Sequence, residues 1–268
     1  MTDKAVIFIG AAILIALFGV AAFAPALAPY NPTEQKLEND LAAASRDHPL
    51  GTDKLGRDVL SRIIYGSRIS LLVGATTVTI SLAIGLLIGA LAGYFGAWVD
   101  QGLMRLVDVL LAFPGILLAI AFTAVLGPGL NHVVVALSLI GWTGYARLVR
   151  GEILALREKE FVHAALALGA APARVVALHM VPNLLPPLVI QATFGVATAI
   201  IAEGSLSFLG LGAQPPTPSW GSMLNEGRQF ILVAPHLTAF PGLAIMITVL
   251  ALNLVGDGLR DRLEKRGK

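Results

Sequence analysis

A glycine-spaced segment near residue 50 is the first feature of this chain that could do chemistry. Gly51, Gly56 and Arg57 reproduce the glycine spacing of a phosphate-binding loop. In such loops a Lys followed by Ser or Thr holds the phosphates and magnesium, whereas this chain has Arg57 and Asp58. Since the Asp58 carboxylate would repel phosphate, we interpret the segment as a hairpin with its glycines at turns. We therefore expect that this chain does not hydrolyse ATP itself.

Histidine and cysteine are the other residue types with catalytic or metal-binding potential. The chain has no cysteine, and its five histidines lack an HExxH or comparable metal-ligand spacing. No Ser, His and Asp residues fall in a pattern that fixes the geometry of a triad. We therefore expect no catalytic residue, no metal and no cofactor in this chain. The histidines are His48, His132, His163, His179 and His236.

The composition places the chain in a lipid bilayer. Hydrophobic residues make up 56% of it and charged residues 13%, with a mean hydropathy of +0.78. Soluble domains are about a quarter charged. The pI near 9.0 reflects a basic C-terminal tail, which suits an anionic membrane surface. Basic and aromatic residues are not interleaved, so we expect no nucleic-acid partner.

Charge-free apolar runs predict an all-α integral membrane protein with six transmembrane helices. The turn cluster at 127–129, Gly-Pro-Gly, separates the third helix from the fourth. Three prolines in segment 215–218 lack backbone donors, so that segment is a loop outside the bilayer. The predicted helices run roughly over 5–28, 69–95, 103–126, 132–150, 186–210 and 236–258.

The distribution of basic residues orients these helices. Twelve of the 19 Lys and Arg residues fall on the side of the two termini and seven on the opposite side. By the positive-inside rule both termini are cytoplasmic. The chain then divides into a first transmembrane helix over 1–28, an extracytoplasmic segment over 29–68, a transmembrane core over 69–258 and a cytoplasmic tail over 259–268. Within the core, residues 151–185 form a cytoplasmic loop and residues 211–235 an extracytoplasmic loop.

The cytoplasmic loop contains an apolar segment where a polar one is expected. Residues 161–171 are apolar except for His163, and eleven residues are too few to span a bilayer. Gly169 stands where a left-handed helix terminator is expected, and Pro172 where the first position of a next helix accepts its fixed φ. The pattern predicts a helix, a tight turn and a second helix.

The short apolar helix either lies flat in the membrane interface or binds in a groove of another protein. Interfacial helices carry many Lys and Arg residues, and segment 161–171 carries none. Ala164 and Ala165, with Leu168 one turn further, would let a second protein approach the helix backbone closely. We therefore expect that the helix binds in the groove of a partner protein.

The segment resembles the EAA loop of permease subunits of ATP-binding-cassette importers, since Gly169 and Pro182 follow His163-Ala164-Ala165 at that loop's spacing. The family pattern begins with Glu, where this chain has His163. The resemblance implies a coupling helix that docks into a cleft of a cytoplasmic ATPase. The implied coupling residues are Glu160, Phe161, His163, Ala164, Ala165, Leu168 and Gly169.

Two further stretches resemble the second, or C-type, permease of dipeptide, oligopeptide and nickel importers. They are HPLGTDKLGRDVLSRIIYGSR over 48–68 and SLSFLGLG over 205–212, the latter followed by the proline-rich segment 215–224. The resemblance implies the type I importer architecture, with six transmembrane helices and a cytoplasmic coupling helix, in a bacterial or archaeal inner membrane. The implied partners are a homologous B-type permease, one or two ATP-binding subunits that hold ATP and magnesium, and an extracytoplasmic substrate-binding protein.

The expected substrate is a di- or oligopeptide, with nickel chelates, glutathione-like peptides and opines as alternatives within the same family. A proton- or sodium-driven carrier is a different class, which usually has inverted repeats and midplane ionisable groups. The sequence shows no repeat, and Glu203 is its one candidate of that kind. A structural scaffold, the third class, predicts that the apolar cytoplasmic helix binds no nucleotide-hydrolysing partner.

Two features inside the predicted helices have alternative interpretations. Gly85, Gly89 and Gly93 recur every four residues and predict close helix packing, either within this subunit or against the partner permease. Glu203 either lines the substrate path or is a helix-end carboxylate near the outer headgroups.

Two polar features lie near the membrane surfaces. Asp108, three residues after Arg105, is expected to form an ordinary i,i+3 ion pair with it. In the outer loop, Pro215, Pro216 and Trp220 either contact the docking binding protein or, in the case of the Trp, anchor the chain at the interface.

Overall fold

The structure, a computed structural model, describes residues 3–266, with side chains described over 6–263. Its regular elements within that range are helices, so the predicted all-α class is confirmed. The terminal positions 1–2 and 267–268 of the predicted ranges 1–28 and 259–268 lie outside it. The α-helices are α1 (Asp3–Ala22), α2 (Ala24–Leu27), α3 (Val59–Phe95), α4 (Ala97–Leu111), α5 (Gly115–Leu126), α6 (Leu130–Arg157), α7 (Glu160–Ala167), α8 (Pro172–Val175), α9 (Val181–Phe208), α10 (Trp220–Gly227) and α11 (His236–Arg266). A π-helical turn, Val176–Met180, joins α8 to α9, and 3₁₀ turns cover Leu37–Asn39 and Arg228–Phe230.

The number of membrane spans depends on how two elements are counted. Four continuous helical stretches are long and apolar enough to cross a bilayer, over Val59–Phe95, Leu130–Arg157, Pro172–Phe208 and His236–Leu263. The bent pair α4–α5 is a fifth if it counts as one span, and α1 contributes a shorter apolar helix, Val6–Ala22. The predicted six helices result only when both are included.

The predicted third span, 103–126, is wrong as one straight helix. Two helices, α4 and α5, occupy that region and meet at 85°. The break falls at residues 112–114, because the ring of Pro114 disfavours helical backbone at Phe113. Segment 97–111 therefore lies at a steep angle to α5, and the Trp98 side chain on it is 87% exposed.

Helix α3 begins ten residues earlier than the predicted span, at Val59 rather than 69. Asp58 caps it, with the backbone N–H of Ser61 donating to Asp58 Oδ2 at 2.7 Å. The basic residues that suggested a later start do not interrupt the helix, since Arg62 is buried in an ion cluster. At the other end of the chain, α11 continues as helix through the predicted tail to Arg266.

The three glycines of the stripe in α3, Gly85, Gly89 and Gly93, lie against α6. A Cβ at Gly89 would lie 2.5 Å from the backbone oxygen of Ala146, and one at Gly93 would lie 2.8 Å from Ile153 Cγ2. At Gly85 a Cβ would lie 2.8 Å from the backbone oxygen of Trp142. The stripe therefore packs within this subunit, where the absence of side chains lets the two helix backbones approach closely.

Adding one methyl group to the glycine stripe should measurably destabilise the subunit. We expect Gly89→Ala to cost about 1–3 kcal/mol, because its Cβ would meet backbone that cannot move aside. Gly144→Ala on α6 is the control, since its Cβ meets nothing within 4 Å and gains about 1 kcal/mol of helix propensity. The midpoint of thermal unfolding in detergent should fall for the first variant alone. Equal midpoints for both would contradict the packing.

Candidate partner-binding sites

Helix α7 ends where the sequence predicts a terminator. Gly169 has a φ of +82°, in the left-handed region that favours glycine. Its N–H donates to the carbonyl of Leu166 at 2.9 Å, and the N–H of Ala170 donates to the carbonyl of Ala165 at 3.1 Å. This pair of bonds is the Schellman motif. Pro172 is then the first residue of α8, so the two helices form a tight helical corner.

The inner face of α7 packs on the ends of the long helices. Val162 is fully buried, and Ala165 is 9% exposed. Both belong to one apolar cluster with residues of α6, α8 and α9, which include Ile153, Val175 and Leu184. The interpretation of Ala165 as a surface open to a partner is therefore wrong, because its side chain points into this subunit. The helical period of α7 explains this placement, since positions 162 and 165 share one face.

Large apolar side chains are exposed on α7 and on its C-terminal turn. Phe161 is 42% exposed, Leu166 is 39% exposed and Leu168 is 89% exposed. Glu160, His163, Ala164 and Gly169 are exposed beside them. Large apolar side chains exposed outside the membrane-spanning helices mark a candidate contact with another molecule. We call the exposed set Phe161, Leu166 and Leu168 the α7 patch.

Two ion pairs join the amphipathic helix α4 to α6 near α7. Arg147 donates to Asp108 at 2.6 Å, and Arg150 forms a bidentate pair with Asp100. The predicted pairing of Asp108 with Arg105 is wrong, since the crossing of α4 over α6 brings Arg147 to the carboxylate instead. Together the pairs hold the bent α4–α5 unit against the end of α6.

The glycine-spaced segment forms a buried ion cluster on the opposite side of the molecule. Gly51 and Gly56 have φ values of +77° and +68°, which places both at turns as predicted. Arg57 Nε donates to Asp53 at 2.6 Å, and Arg57 Nη2 donates to Glu226 of α10 at 2.5 Å. Arg62 shares the same carboxylates, at 3.5 Å from Asp53 and 3.1 Å from Glu226. Asp53 of this loop and Glu226 of α10 therefore neutralise arginines of their own chain.

Glu203 is enclosed by protein and is 1% exposed. Ser207 Oγ donates to its Oε1 at 2.6 Å, and Ser70 Oγ of α3 lies 3.3 Å from its Oε2. The sequence suggested that Glu203 either lines the substrate path or lies near the headgroups. In this conformation its carboxylate does neither. It links α9 to α3 inside the subunit.

Trp220 is not a surface residue of the proline-rich loop. Its indole is 1% exposed, and Nε1 donates to the backbone oxygen of Ile63 at 3.1 Å. The predicted contact of Trp220 with a binding protein is therefore wrong for this conformation, as is the alternative of an interfacial anchor. Pro215 and Pro216 are exposed in the same loop. They remain the loop's candidate contact residues.

Sequence reasoning missed the role of Arg62 and Glu226. These residues are 164 positions apart, so no local spacing connects them. The sequence signal for this pairing was Arg62, which lies close to a long apolar run. A guanidinium that is buried requires a carboxylate partner.

Comparison with known sequences finds relatives along nearly the whole chain. Residues 85–268 match the family described as binding-protein-dependent transport system inner membrane component, and residues 5–44 match the N-terminal TM domain of oligopeptide transport permease C. The dipeptide transport system permease protein DppC of Alkalihalophilus pseudofirmus is 45% identical over 97% of this chain and 86% of its own length. The glutathione transport system permease protein GsiD of Escherichia coli O157:H7 is 48% identical over 95% of this chain and 84% of its own length.

The fold is similar to that of a solved transporter. A chain of the MetNI methionine ABC transporter, in an inward-facing conformation, superposes with a TM-score of 0.62. The superposition covers 78% of this chain and 97% of that chain, at 21% sequence identity. At this identity the likeness concerns the fold.

Replacing Glu226 with Gln should destabilise the protein by breaking the buried ion cluster. The substitution keeps the side chain's size but removes the charge that Arg57 and Arg62 share, and both arginines are almost fully buried. Removing one partner of a buried pair costs about 3–5 kcal/mol. We expect a loss of about 3 kcal/mol, at the lower end, because Glu226 itself is 19% exposed.

The matched control for that substitution is Glu34→Gln. Its pair with Lys36 is half-exposed on both sides and is worth at most about 1 kcal/mol. Thermal unfolding in detergent should separate the two variants clearly. Unfolding of Glu226→Gln at the midpoint of the unsubstituted protein would contradict the cluster's role.

Proposed function

Because the chain belongs to the family of binding-protein-dependent transport system inner membrane components, and so is a permease subunit of an ATP-binding-cassette importer, we propose that it carries di- or oligopeptides. Both named relatives support this substrate class. One is a dipeptide permease and the other a permease for glutathione, which is itself a small peptide. Each aligns with at least 95% of this chain, so the likeness includes the membrane core as well as the cytoplasmic loop.

The α7 patch is the observation that carries the coupling role. We propose that it seats in a cleft of an ATPase subunit, which holds ATP and magnesium while this chain holds neither. Three large apolar side chains, one of them 89% exposed, gain free energy when another protein covers them. The segment 160–172 contains no Lys or Arg, which favours a protein groove over an anionic lipid surface.

Orientation follows from the same proposal. If α7 contacts an ATPase, then α7, the N-terminus of α1 and the C-terminus of α11 lie on the cytoplasmic side. The ion cluster, α10 and the exposed Pro215 and Pro216 then lie outside, where a substrate-binding protein would dock. The bias of Lys and Arg toward the side of the termini supports this arrangement.

The proposed mechanism couples two states of the assembled importer. Closure of the ATPase dimer on ATP moves α7, and the buried contacts of Val162 with α6 and α9 transmit that movement to the long helices. A second, homologous permease completes the translocation path between the two subunits. The ATPase must bind one state more tightly than the other, because equal affinity for both would shift no population.

Substituting the most exposed residue of the α7 patch should uncouple the importer. We expect Leu168→Glu to weaken ATPase binding at least about tenfold, since a charge would be buried in an apolar cleft. ATP-dependent uptake of a labelled dipeptide into proteoliposomes should fall in parallel. The subunit itself should fold normally, because the Leu168 side chain is 89% exposed.

Leu232→Glu provides the matched control at the other end of the molecule. Leu232 is 96% exposed, so the same substitution changes an equally bare leucine far from α7. ATPase binding should be unaffected. If Leu232→Glu weakened ATPase binding and Leu168→Glu did not, both the coupling role and the orientation would be contradicted. In a separate experiment, dipeptide uptake without an ATPase subunit would indicate an ion-driven carrier.

A further inference from the structure

A groove of about 590 Å³ runs between α1 and the N-terminal third of α3. Its apolar walls include Phe18 and Ala21 of α1 and Leu72 and Ala75 of α3. Phe18 is 52% exposed and Leu72 is 60% exposed. The groove is therefore open along its length, and its apolar walls are accessible from outside the subunit.

The polar residues of the groove gather at one end. Among the described residues that line it, they are Tyr65 and Arg68 of α3 and Thr217 of the proline-rich loop. Positions 65, 68, 72 and 75 follow the three- and four-residue spacing of one helix face. Tyr65 and Arg68 occupy the N-terminal end of this row, and Leu72 and Ala75 continue it. The groove is thus polar at one end and apolar along the rest.

Arg68 marks the level at which α3 enters the hydrocarbon of the bilayer. The charge-free run of the sequence begins at the next residue, Ile69, and continues to Val99. From Arg68 to Ala75 the helix rises about 10 Å. One leaflet contributes roughly 15 Å of hydrocarbon. The apolar part of the groove therefore lies at the depth of acyl chains, and its polar end lies at the level of the headgroups.

The polar end of the groove offers hydrogen-bond donors that lack partners. Arg68 is exposed, and its guanidinium forms no ion pair or hydrogen bond with the described residues. By contrast, Arg62 on the same helix shares two carboxylates. The hydroxyls of Tyr65 and Thr217 are also unbonded within the described part of the chain, and both side chains are partly exposed.

The charge of the groove is positive at this end and is not balanced by its own walls. None of the described residues that line it is acidic. A guanidinium binds a phosphate through two parallel N–H···O bonds, and hydroxyls can donate to the remaining oxygens. The groove therefore combines a phosphate-binding end with an apolar channel of acyl-chain depth.

We propose that this groove binds an anionic phospholipid, with the phosphate at Arg68 and an acyl chain along Phe18, Leu72 and Ala75. An ammonium headgroup would find no carboxylate in the lining, which favours phosphatidylglycerol over phosphatidylethanolamine. The bound lipid contacts α1, α3 and the proline-rich loop at once and holds these three segments together. This site is separate from the proposed peptide path and does not depend on the identity of the substrate.

The competing occupant is a helix of a partner permease. An apolar helix seated on Leu72 would also cover Arg68 and leave its charge without a partner, which is costly. A phospholipid covers the same apolar side chains and supplies the phosphate as well. The lipid therefore satisfies both ends of the groove.

Native mass spectrometry of the complete importer tests the charge contact. After delipidation in detergent, titration with phosphatidylglycerol should show that Arg68→Gln weakens the tightest binding step about five- to tenfold. Arg68→Lys, which keeps the charge, should stay within about threefold of the unsubstituted importer. Arg105→Gln is the matched control, because Arg105 is an exposed arginine of α4 outside the groove. Its binding should equal that of the unsubstituted importer.

Filling the apolar part of the groove provides a second test. Ala75→Phe would place a ring where the acyl chain lies and should weaken phosphatidylglycerol binding at least about fivefold, although Arg68 is unchanged. Thr79→Phe, one turn further along α3 and outside the lining, should leave binding unchanged. Both positions are exposed, so the two variants should unfold at the same temperature when no lipid is added.

The headgroup provides a third readout. Phosphatidylglycerol should raise the midpoint of thermal unfolding of the unsubstituted importer more than phosphatidylethanolamine with the same acyl chains. This difference should disappear in Arg68→Gln. Glycerol phosphate, which has the phosphate without the acyl chains, should have no effect at the same concentration.

Three results would overturn the proposal. Equal phosphatidylglycerol binding by Arg68→Gln and Arg105→Gln would show that the positive charge acts only through general attraction to the membrane. Unchanged binding with Ala75→Phe would place the acyl chain elsewhere. If the unsubstituted importer held no tightly bound lipid and Arg68→Gln released the partner permease, the groove would be a protein interface.

Discussion

Close backbone contact between α3 and α6 is the constraint on which the rest of the structure depends. Gly89 and Gly93 remove the side chains that would otherwise hold the helices apart, and Ala146 and Ile153 occupy the space. The 37 residues of α3 extend about 55 Å, well beyond the roughly 30 Å of hydrocarbon in a bilayer. This paired unit therefore reaches from one face of the protein to the other and carries the local structures found at both ends.

The α3–α6 pair contacts the buried ion cluster at one end and packs against α7 at the other. Arg62 in the second turn of α3 is tied to Glu226 of α10, while Ile153 near the end of α6 packs beneath Val162 of α7. Buried, well-packed contacts transmit displacement because the interior has few voids to absorb it. In the proposed mechanism, a movement imposed on α7 is transmitted through this packing to the long helices.

Features set by local backbone chemistry could be predicted from the sequence, and features set by distant contacts could not. The stop at Gly169 and the start at Pro172 follow from the conformations those residues allow, and the structure has both. By contrast, the inward direction of Ala165 depends on where α7 meets α6 and α9, which a single segment does not reveal. The burial of Trp220 likewise depends on α3, more than 150 residues away. The bend at Pro114 is an intermediate case, because its signal is local but was outweighed by the apolar run around it.

The coupling role depends on one contact, which we propose is the seating of the α7 patch in a cleft of an ATPase subunit. A cryo-electron microscopy structure of the complete importer, with partner permease, ATPase subunits and ADP–vanadate, tests it most directly. We expect Phe161 and Leu168 to be buried against the ATPase, and α7 to keep its contacts with α6 and α9. A structure in which the same two side chains lie among lipid headgroups, with the ATPase bound elsewhere, would contradict it.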